Sequence, residues 1–135
     1  MSVEYAIKNL VLADTAIAAL IATRYYPLPL PANKVYPLIG YMQINDESAS
    51  SHQGSSHFAI TRLQLSPYAD THKQASDLRS ELKRLLIDYR GSVVTSEFTY
   101  RIDRIQWLDD RSRYDTDTQK NVRDIDLRIQ HSTLY

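Results

Sequence analysis

The stretch from residue 24 to residue 41, RYYPLPLPANKVYPLIGY, limits the fold more than any other part of the chain. It holds four of the five prolines and four of the ten tyrosines. Proline fixes its own φ angle, lacks an N–H donor and drives the preceding residue toward an extended conformation, so a helix and a central strand are both excluded here. Pro27, Pro29 and Pro31 are two residues apart, whereas an SH3-type ligand needs a spacing of three. We therefore predict a stiff crossing from a first helix to the edge of a sheet.

Apolar residues recur at helical spacing before this crossing. They are Val3, Ile7, Leu10, Ile17 and Ile21, as on one face of a helix. Ser2 can cap this helix because its hydroxyl can accept a hydrogen bond from an otherwise unpaired backbone N–H. Asp14 interrupts the stripe and is itself a good cap, so the pattern fits one continuous helix or two helices over residues 2–12 and 15–21.

A second amphipathic helix is predicted over residues 70–89. Its apolar side is formed by Ala75, Leu78, Leu82, Leu85 and Leu86, and charged residues take the other sides. Asp70 is the candidate N-cap, and Gly91 stands where a glycine is expected to end a helix.

Four further segments have the composition of strands. They are residues 38–44, 58–65, 93–108 and 122–131, which are rich in β-branched and aromatic residues or alternate between apolar and polar ones. Pro67 is expected to end the second strand, and the long third segment is expected to contain a bulge or a break. In the fourth, Ile125, Leu127 and Ile129 mark the buried face.

The order helix, strand, strand, helix, strand, strand favours an α+β fold. We predict one domain over residues 1–135, with an antiparallel β-sheet of about four strands covered on one face by the N-terminal helix and the helix of residues 70–89. The polar segments 45–57 and 109–120 are predicted to be exposed, mobile loops that join pairs of strands.

The composition excludes several kinds of chemistry. The chain has no cysteine, so disulfides, thiolate metal sites and a cysteine nucleophile are impossible, which fits a reducing cytoplasm. The sequence contains no phosphate-binding glycine loop and neither the G-x-S-x-G nor the H-E-x-x-H motif. We therefore predict a protein that is not an enzyme and that uses no cofactor.

Two polar segments contain residue types that can bind metals. His52 and His57 lie near two acidic residues, but in a predicted loop without the supporting contacts that orient metal ligands. Asp115 and Asp117 form a D-x-D pair without the glycine and glutamate of a calcium-binding loop. We interpret the histidines as solvated residues and the aspartates as part of a turn.

Nucleic-acid binding is a minor alternative. Sixteen basic and sixteen acidic residues cancel, whereas duplex-DNA binders have a basic excess that neutralises phosphates. Residues 100–107, YRIDRIQW, alternate basic and aromatic residues, but they lack the aromatic-glycine signature of an RNA-recognition fold, and Asp103 would repel phosphate. A small nucleic-acid or ligand-binding module is therefore kept only as the weaker hypothesis.

The aromatic composition points to protein contacts. Ten tyrosines stand against two phenylalanines and one tryptophan. Tyrosine buries area while it keeps a polar tip, and it is enriched at protein interfaces. The residues alone thus indicate an α+β domain that binds other proteins.

The order of motifs resembles that of the tail-completion, or tail-terminator, proteins of long-tailed bacteriophages and prophages. After the first helix, RYYP at residues 24–27 is similar to the family's R-[IV]-Y-P turn, and YPLIGY at residues 36–41 is similar to its P-x-[IV]-x-Y strand. RLQL at residues 62–65 leads to an alanine-bearing helix and a glycine, and Tyr114 with Asp115 precedes the last strand. The resemblance covers nearly the whole chain, with departures before the second helix and in the serine-rich loop.

The resemblance implies a non-enzymatic virion assembly protein that stops growth of the tail tube and forms the tail side of the head–tail joint. It implies a ring, expected to be a hexamer at the head-proximal end of the virion tail and a monomer before assembly in the host bacterial cytoplasm. The implied partners are the major tail-tube protein, a head connector or stopper protein, and DNA that passes through without specific binding; no membrane is involved. A head-side stopper and a minor tail-tube component are the alternatives.

Interface residues are expected in the proline-rich stretch and in the two polar connections. They are Tyr25, Tyr26, Tyr36, Asp46, Glu47, His52, Gln53, Tyr114 and Asp115. The zero net charge is compatible with a channel wall past which DNA slides.

Overall fold

The computed structural model of the chain describes residues 3–32, 34–51, 54–94 and 99–134, and over 45–51, 54–58 and 133–134 it describes the backbone alone. The helices are α1 (Glu4–Ala13), α2 (Thr15–Ile21) and α3 (His72–Leu86). The strands are β1 (Tyr25–Pro27), β2 (Leu38–Ser51), β3 (Gly54–Ala69), β4 (Gly91–Val94), β5 (Thr99–Asp115) and β6 (Lys120–Leu134).

The strands form one sheet in the order β1-β2-β3-β6-β5-β4. β1 pairs with β2 in parallel, and all other neighbours are antiparallel. The α+β class is confirmed, but the prediction of about four strands is too low by two. The segment predicted over 93–108 is two strands, because β4 pairs back onto β5 with Val93 opposite Tyr100. The other added strand, β1, is a three-residue piece of the proline-rich stretch.

The main core lies between the helices and one face of the sheet. Ile7 of α1 and Leu78 of α3 are buried there against strand residues. Ile125, Leu127 and Ile129 of β6 are fully buried in the same core, as their alternation predicts. We call the opposite side of the sheet the helix-free face.

The first helical region is divided at Asp14, so the two-helix alternative is the one observed. Val3 occupies the N-cap position of α1, and Ser2 lies outside the described residues. The carboxylate of Asp14 makes no capping hydrogen bond; it forms an ion pair with Arg84 of α3 at 2.5 Å. The junction of α1 and α2 is thereby attached to the third helix.

The predicted ends of α3 need two corrections. Thr71 rather than Asp70 is the N-cap, and its Oγ1 accepts a hydrogen bond from the backbone N–H of Gln74 at 3.1 Å. The left-handed residue after the helix is Asp88, at a φ of 55°. Gly91 instead begins β4 at a φ of 153°, which disfavours any side chain.

The two polar segments predicted to be loops are mostly strand. β2 continues to Ser51 and β3 begins at Gly54, while β5 and β6 are joined by a turn at residues 116–119. Polar sequences suit these positions because antiparallel strands satisfy each other's backbone groups while side chains can face water. His52 and Gln53 lie outside the described residues. The mobility of both segments stays a prediction.

Pro67 lies inside β3 instead of ending it. The ladder between β3 and β6 passes from the Leu65–Ile125 pair directly to the Tyr68–Val122 pair. The missing N–H of the proline therefore falls at an interruption of the ladder, and a central strand can accommodate it.

Candidate interaction surface

The proline-rich stretch covers one end of the helix-free face. Its side chains Tyr26, Leu28, Leu30 and Tyr36 pack on a second core formed by Leu38, Tyr68 and Val122. We call these seven residues the proline patch. A backbone hydrogen bond of 2.9 Å from the N–H of Leu28 to the carbonyl of Tyr41 fixes the crossing to β2.

Gly40 allows Leu28 and Leu30 of the proline patch to lie close to β2. A Cβ atom at this position would lie 2.8 Å from Leu28 Cδ2 and 3.4 Å from Leu30 Cδ2. Any larger residue would therefore displace the two leucines from a close-packed contact. The glycine in the middle of β2 is explained by this approach of another chain segment.

Tyr25 belongs to the main core, although its neighbour Tyr26 belongs to the proline patch, because successive strand residues face opposite sides. Tyr25 is 2% exposed, and its ring stacks on Tyr41 with the centroids 5.0 Å apart. Its hydroxyl has no hydrogen-bond partner among the described residues. Burial, together with the nearby Tyr41 and Glu4, raises the pKa of Tyr25 well above its usual value. Of the three tyrosines in the proline-rich stretch that were expected at an interface, Tyr26 and Tyr36 are accessible in the single chain and Tyr25 is not.

A nearly buried carboxylate organises the centre of the helix-free face. Asp124 of β6 accepts hydrogen bonds from Arg113 Nε at 2.6 Å and from Ser66 Oγ at 2.9 Å. The guanidinium of Arg113 also lies 6.0 Å from the ring centroid of Tyr68. Its hydrogen bond to Asp124 raises the pKa of Arg113. This pair joins β5 to β6 at the border of the proline patch.

Two arginines on this face lie outside their carboxylate partners. The side chain of Asp124 is 9% exposed and that of its partner Arg113 is 41% exposed. The same holds for Asp126 at 11% and Arg62 at 42%, whose charged groups are 3.8 Å apart. The solvent-exposed groups of these pairs are therefore guanidiniums, and the carboxylates beneath them compensate their positive charge.

The turn between β5 and β6 is attached to the proline patch and to the residues before α3. Lys120 forms an ion pair with Asp70, and its ammonium group lies 4.8 Å from the ring centroid of Tyr36. The hydrogen bond to Asp70 raises the pKa of Lys120. The carboxylate of Asp115 accepts a hydrogen bond from the backbone N–H of Asp117 at 3.2 Å, so the D-x-D pair shapes this turn.

One carboxylate ties the second half of β5 to α3. Asp110, with its side chain 11% exposed, forms an ion pair with Arg79 and accepts hydrogen bonds of 2.9 and 3.1 Å from Arg123. Arg79 also lies 5.7 Å from the ring centroid of Trp107. Burial by itself raises the pKa of the Asp110 carboxyl, but the hydrogen bonds and charges of the two guanidiniums outweigh it, so that its pKa is lowered.

On each lateral side of the sheet, the short outermost strand covers only part of its longer neighbour. β1 covers β2 only as far as Tyr41, and β4 covers β5 only as far as Ile102. Beyond them, residues 42–51 of β2 and residues 106–115 of β5 have no further strand beside them in the described part of the chain. We call these two stretches the β2 edge and the β5 edge.

The residues expected at an interface fall at separate places. Tyr26 and Tyr36 lie in the proline patch, Asp46 and Glu47 in the β2 edge, and Tyr114 and Asp115 at the end of the β5 edge. Lys120 brings Tyr36 close to the β5–β6 turn. Tyr114 is 56% exposed, and His52 and Gln53 are outside the described residues.

Sequence reasoning missed the charged centre of the helix-free face and the two edges. A signal for the first was present, since Asp124, Asp126 and Arg128 alternate with apolar residues and mark a strand with a polar second side. The edges depend on where β1 and β4 stop, and no local pattern marks those ends.

Within the described ranges, no group of three or more histidine, aspartate or glutamate residues could hold a metal ion. The helices of the same ranges are too short or too polar to cross a membrane.

Comparison with known proteins identifies the family. A family model described as tail completion protein gp17 matches residues 5–132. A chain from the virion of a native gene transfer agent particle has a similar fold, with a TM-score of 0.74 and 18% identity over 93% of this chain and 91% of that chain. No curated protein matches the chain in sequence. Because the family model spans nearly all of the fold, the chain belongs to the tail completion protein gp17 family and is a structural protein of the bacteriophage tail.

Proposed function

We propose that the protein terminates the tail tube and forms the tail side of the head–tail joint, as a ring expected to be a hexamer. Its partners are the last ring of the major tail-tube protein, a head connector or stopper protein, and further copies of itself. It is expected to fold as a monomer in the host cytoplasm and to act, without catalysis, at the head-proximal end of the tail. The observation that carries the proposal is the family match over residues 5–132.

The layout of the two hairpins supports a joining role. The β2–β3 hairpin lies beyond Phe58, where the pairing of β3 with β6 begins, and the β5–β6 turn lies beside Ala69 at the other end of β3. The two hairpins therefore project from opposite ends of the sheet. A subunit built in this way offers different ends to two different neighbours, as a head-to-tail assembly requires.

We assign the helix-free face to the wall of the channel through which DNA passes. Arg62 and Arg113 each lie beside a carboxylate, so their positive charge is compensated locally. An uncompensated row of arginines would bind phosphates tightly, whereas a wall near neutrality allows DNA to slide.

Deleting the gene is expected to yield separate DNA-filled heads and tails of irregular or excess length, because neither tube growth nor joining is controlled. Electron microscopy of the lysate would show this directly, and supplying the gene on a plasmid is the control. Normal particles in the deletion strain would contradict the proposal.

Antibody labelling of isolated tails and heads separates the alternatives. The proposal expects label at one end of tails only. Label on heads alone would favour a head-side stopper, and label along the tube would favour a minor tail-tube component.

Replacing residues 49–57 with an Asn-Gly turn is expected to abolish head joining and to leave the thermal midpoint within a few degrees. The reason is that the replaced part of β3, residues 54–57, precedes Phe58, where the pairing of β3 with β6 begins, so its loss opens no central ladder. Thermal unfolding and particle counts measure the two effects, and a replacement by Gly-Ser of equal length is the control for hairpin length. A large fall in the midpoint would make the hairpin structural, and normal joining would exclude it from the joint.

A further inference from the structure

We propose that the β2 edge of one copy meets the β5 edge of the next copy, with Ile44 against Leu108 and with Glu47 against Arg104, which lies two residues before the β5 edge. This inference rests on the proposed ring and names the surfaces that close it.

The directions of the strands permit such a contact. β2 is antiparallel to β3, β3 to β6, and β6 to β5, so β2 and β5 run in opposite directions at opposite sides of the sheet. Two copies placed side by side in the same orientation bring β2 against β5 in an antiparallel arrangement. No two-fold axis is needed, and the contact can repeat around a ring.

Each edge has an exposed apolar residue directly beside the same row of the sheet. One row across the sheet consists of Gln43, Leu63, Leu127 and Trp107. The register shifts next to this row in both outer strands. Ile44 is the extra residue on the Arg62–Arg128 side of the row, and Leu108 is the extra residue on the Gln64–Asp126 side. They are 42% and 45% exposed. Copies at equal height around a ring would place these two side chains one residue rise, about 3.4 Å, apart along the strands, close enough for them to contact each other and to leave water.

A second row connects residues of opposite charge in the two outer strands, one in the β2 edge and one just before the β5 edge. It consists of Glu47, Ile60, Gln130 and Arg104. The guanidinium of Arg104 is 55% exposed and lies 3.8 Å from Asp88, whose carboxylate is 74% exposed. Such an exposed pair contributes little to stability, so Arg104 is available to a carboxylate of a neighbouring copy.

The register shifts also explain why single copies would not associate early. A β-bulge interrupts the backbone ladder and twists an edge away from an approaching strand, which protects edge strands from uncontrolled pairing. Both edges have such a shift at the level of Ile44 and Leu108. The contact then depends on side chains and forms when the end of the tail aligns several copies.

Because the chain has no cysteine, introduced cysteines are its only sites for disulfide cross-linking. In tails assembled with the double variant Ile44→Cys/Leu108→Cys, oxidation is expected to give a ladder of cross-linked species that ends at a closed ring. The single variants are the controls and are expected to stay uncross-linked. Dimers from Ile44→Cys alone would indicate a two-fold contact and overturn the proposal.

A charge exchange provides the second measurement. Glu47→Arg and Arg104→Glu are each expected to lower the yield of joined particles by about tenfold, because the weakened contact recurs at every interface of the ring. The double exchange is expected to restore the yield, and all three variants should keep the wild-type thermal midpoint. Failure of the double exchange to restore joining, or absence of the ladder in tails that contain the protein, would overturn the contact while the proposed function stands. Absence of the wild-type protein from tail ends would instead remove the proposed function and this inference together.

Discussion

Replacing Tyr25 with alanine is expected to lower the free energy of unfolding by about 3–5 kcal/mol, as for other large aromatic residues removed from a core. Tyr25 is 2% exposed and stacks on Tyr41, so the substitution leaves a cavity under α1 and α2. Urea denaturation of the purified variant measures the loss. The exposed Tyr114 is the matched control, because its replacement by alanine should change stability by less than about 0.5 kcal/mol.

Tyr25→Phe separates the ring from the hydroxyl. The hydroxyl is buried without a hydrogen-bond partner among the described residues, so its removal should be neutral or should stabilise the fold by up to about 1 kcal/mol. Similar losses for Tyr25→Phe and Tyr25→Ala would contradict this assignment. If Tyr25→Ala folded normally but blocked assembly, Tyr25 would be an interface residue.

Replacing Asp110 with asparagine is expected to cost about 2–3 kcal/mol at neutral pH. The substitution keeps the shape of the side chain but leaves two arginines, Arg79 and Arg123, facing each other without their shared carboxylate. Removing one partner of a fully buried ion pair destabilises a protein by more than this. The expected cost is smaller here because both arginines are partly solvated. The exposed pair of Lys73 and Asp77 on α3 provides the control, since Asp77→Asn should cost well under 1 kcal/mol.

The cost of Asp110→Asn should depend on pH with a definite sign. The pKa of Asp110 is lower in the folded protein than in the unfolded chain, where it is about 3.9. The stabilisation by the ionised carboxylate is therefore complete above the unfolded value and is lost as the pH falls through the folded value. The gap in unfolding free energy between wild type and variant should be widest at pH 6–7 and shrink toward pH 2–3. A gap that stays constant over this range would show that charge is not the cause.

Elements with a long local pattern could be predicted from the sequence. Leu78 and Leu82 repeat at the spacing of one helix face, and they are buried in α3 as expected. Ile125, Leu127 and Ile129 identified the buried side of β6 in the same way. These patterns suffice because each residue's environment follows from its position within its own element.

Features that depend on distant partners could not be predicted. β1 is a strand only because Tyr25 to Pro27 lie beside residues 39–41 of β2. The polar ends of β2 and β3 are strands because they pair with each other, although their composition is typical of a loop. The bulge residues Ile44 and Leu108 are defined by the register of the partner strand, which no local pattern encodes. The interaction surface was therefore harder to predict than the core.

The opposite placement of the two hairpins has a mechanical consequence. If the head is attached through one hairpin and the tail through the other, tension on the joint runs along β3 and β6. Their pairs from Phe58–Ser132 to Ala69–Asn121 would then be loaded in shear, so that many hydrogen bonds resist together. A pull across the sheet would instead open them one after another. The sheet whose helix-free face we assign to the channel wall would thus also bear the tension on the joint.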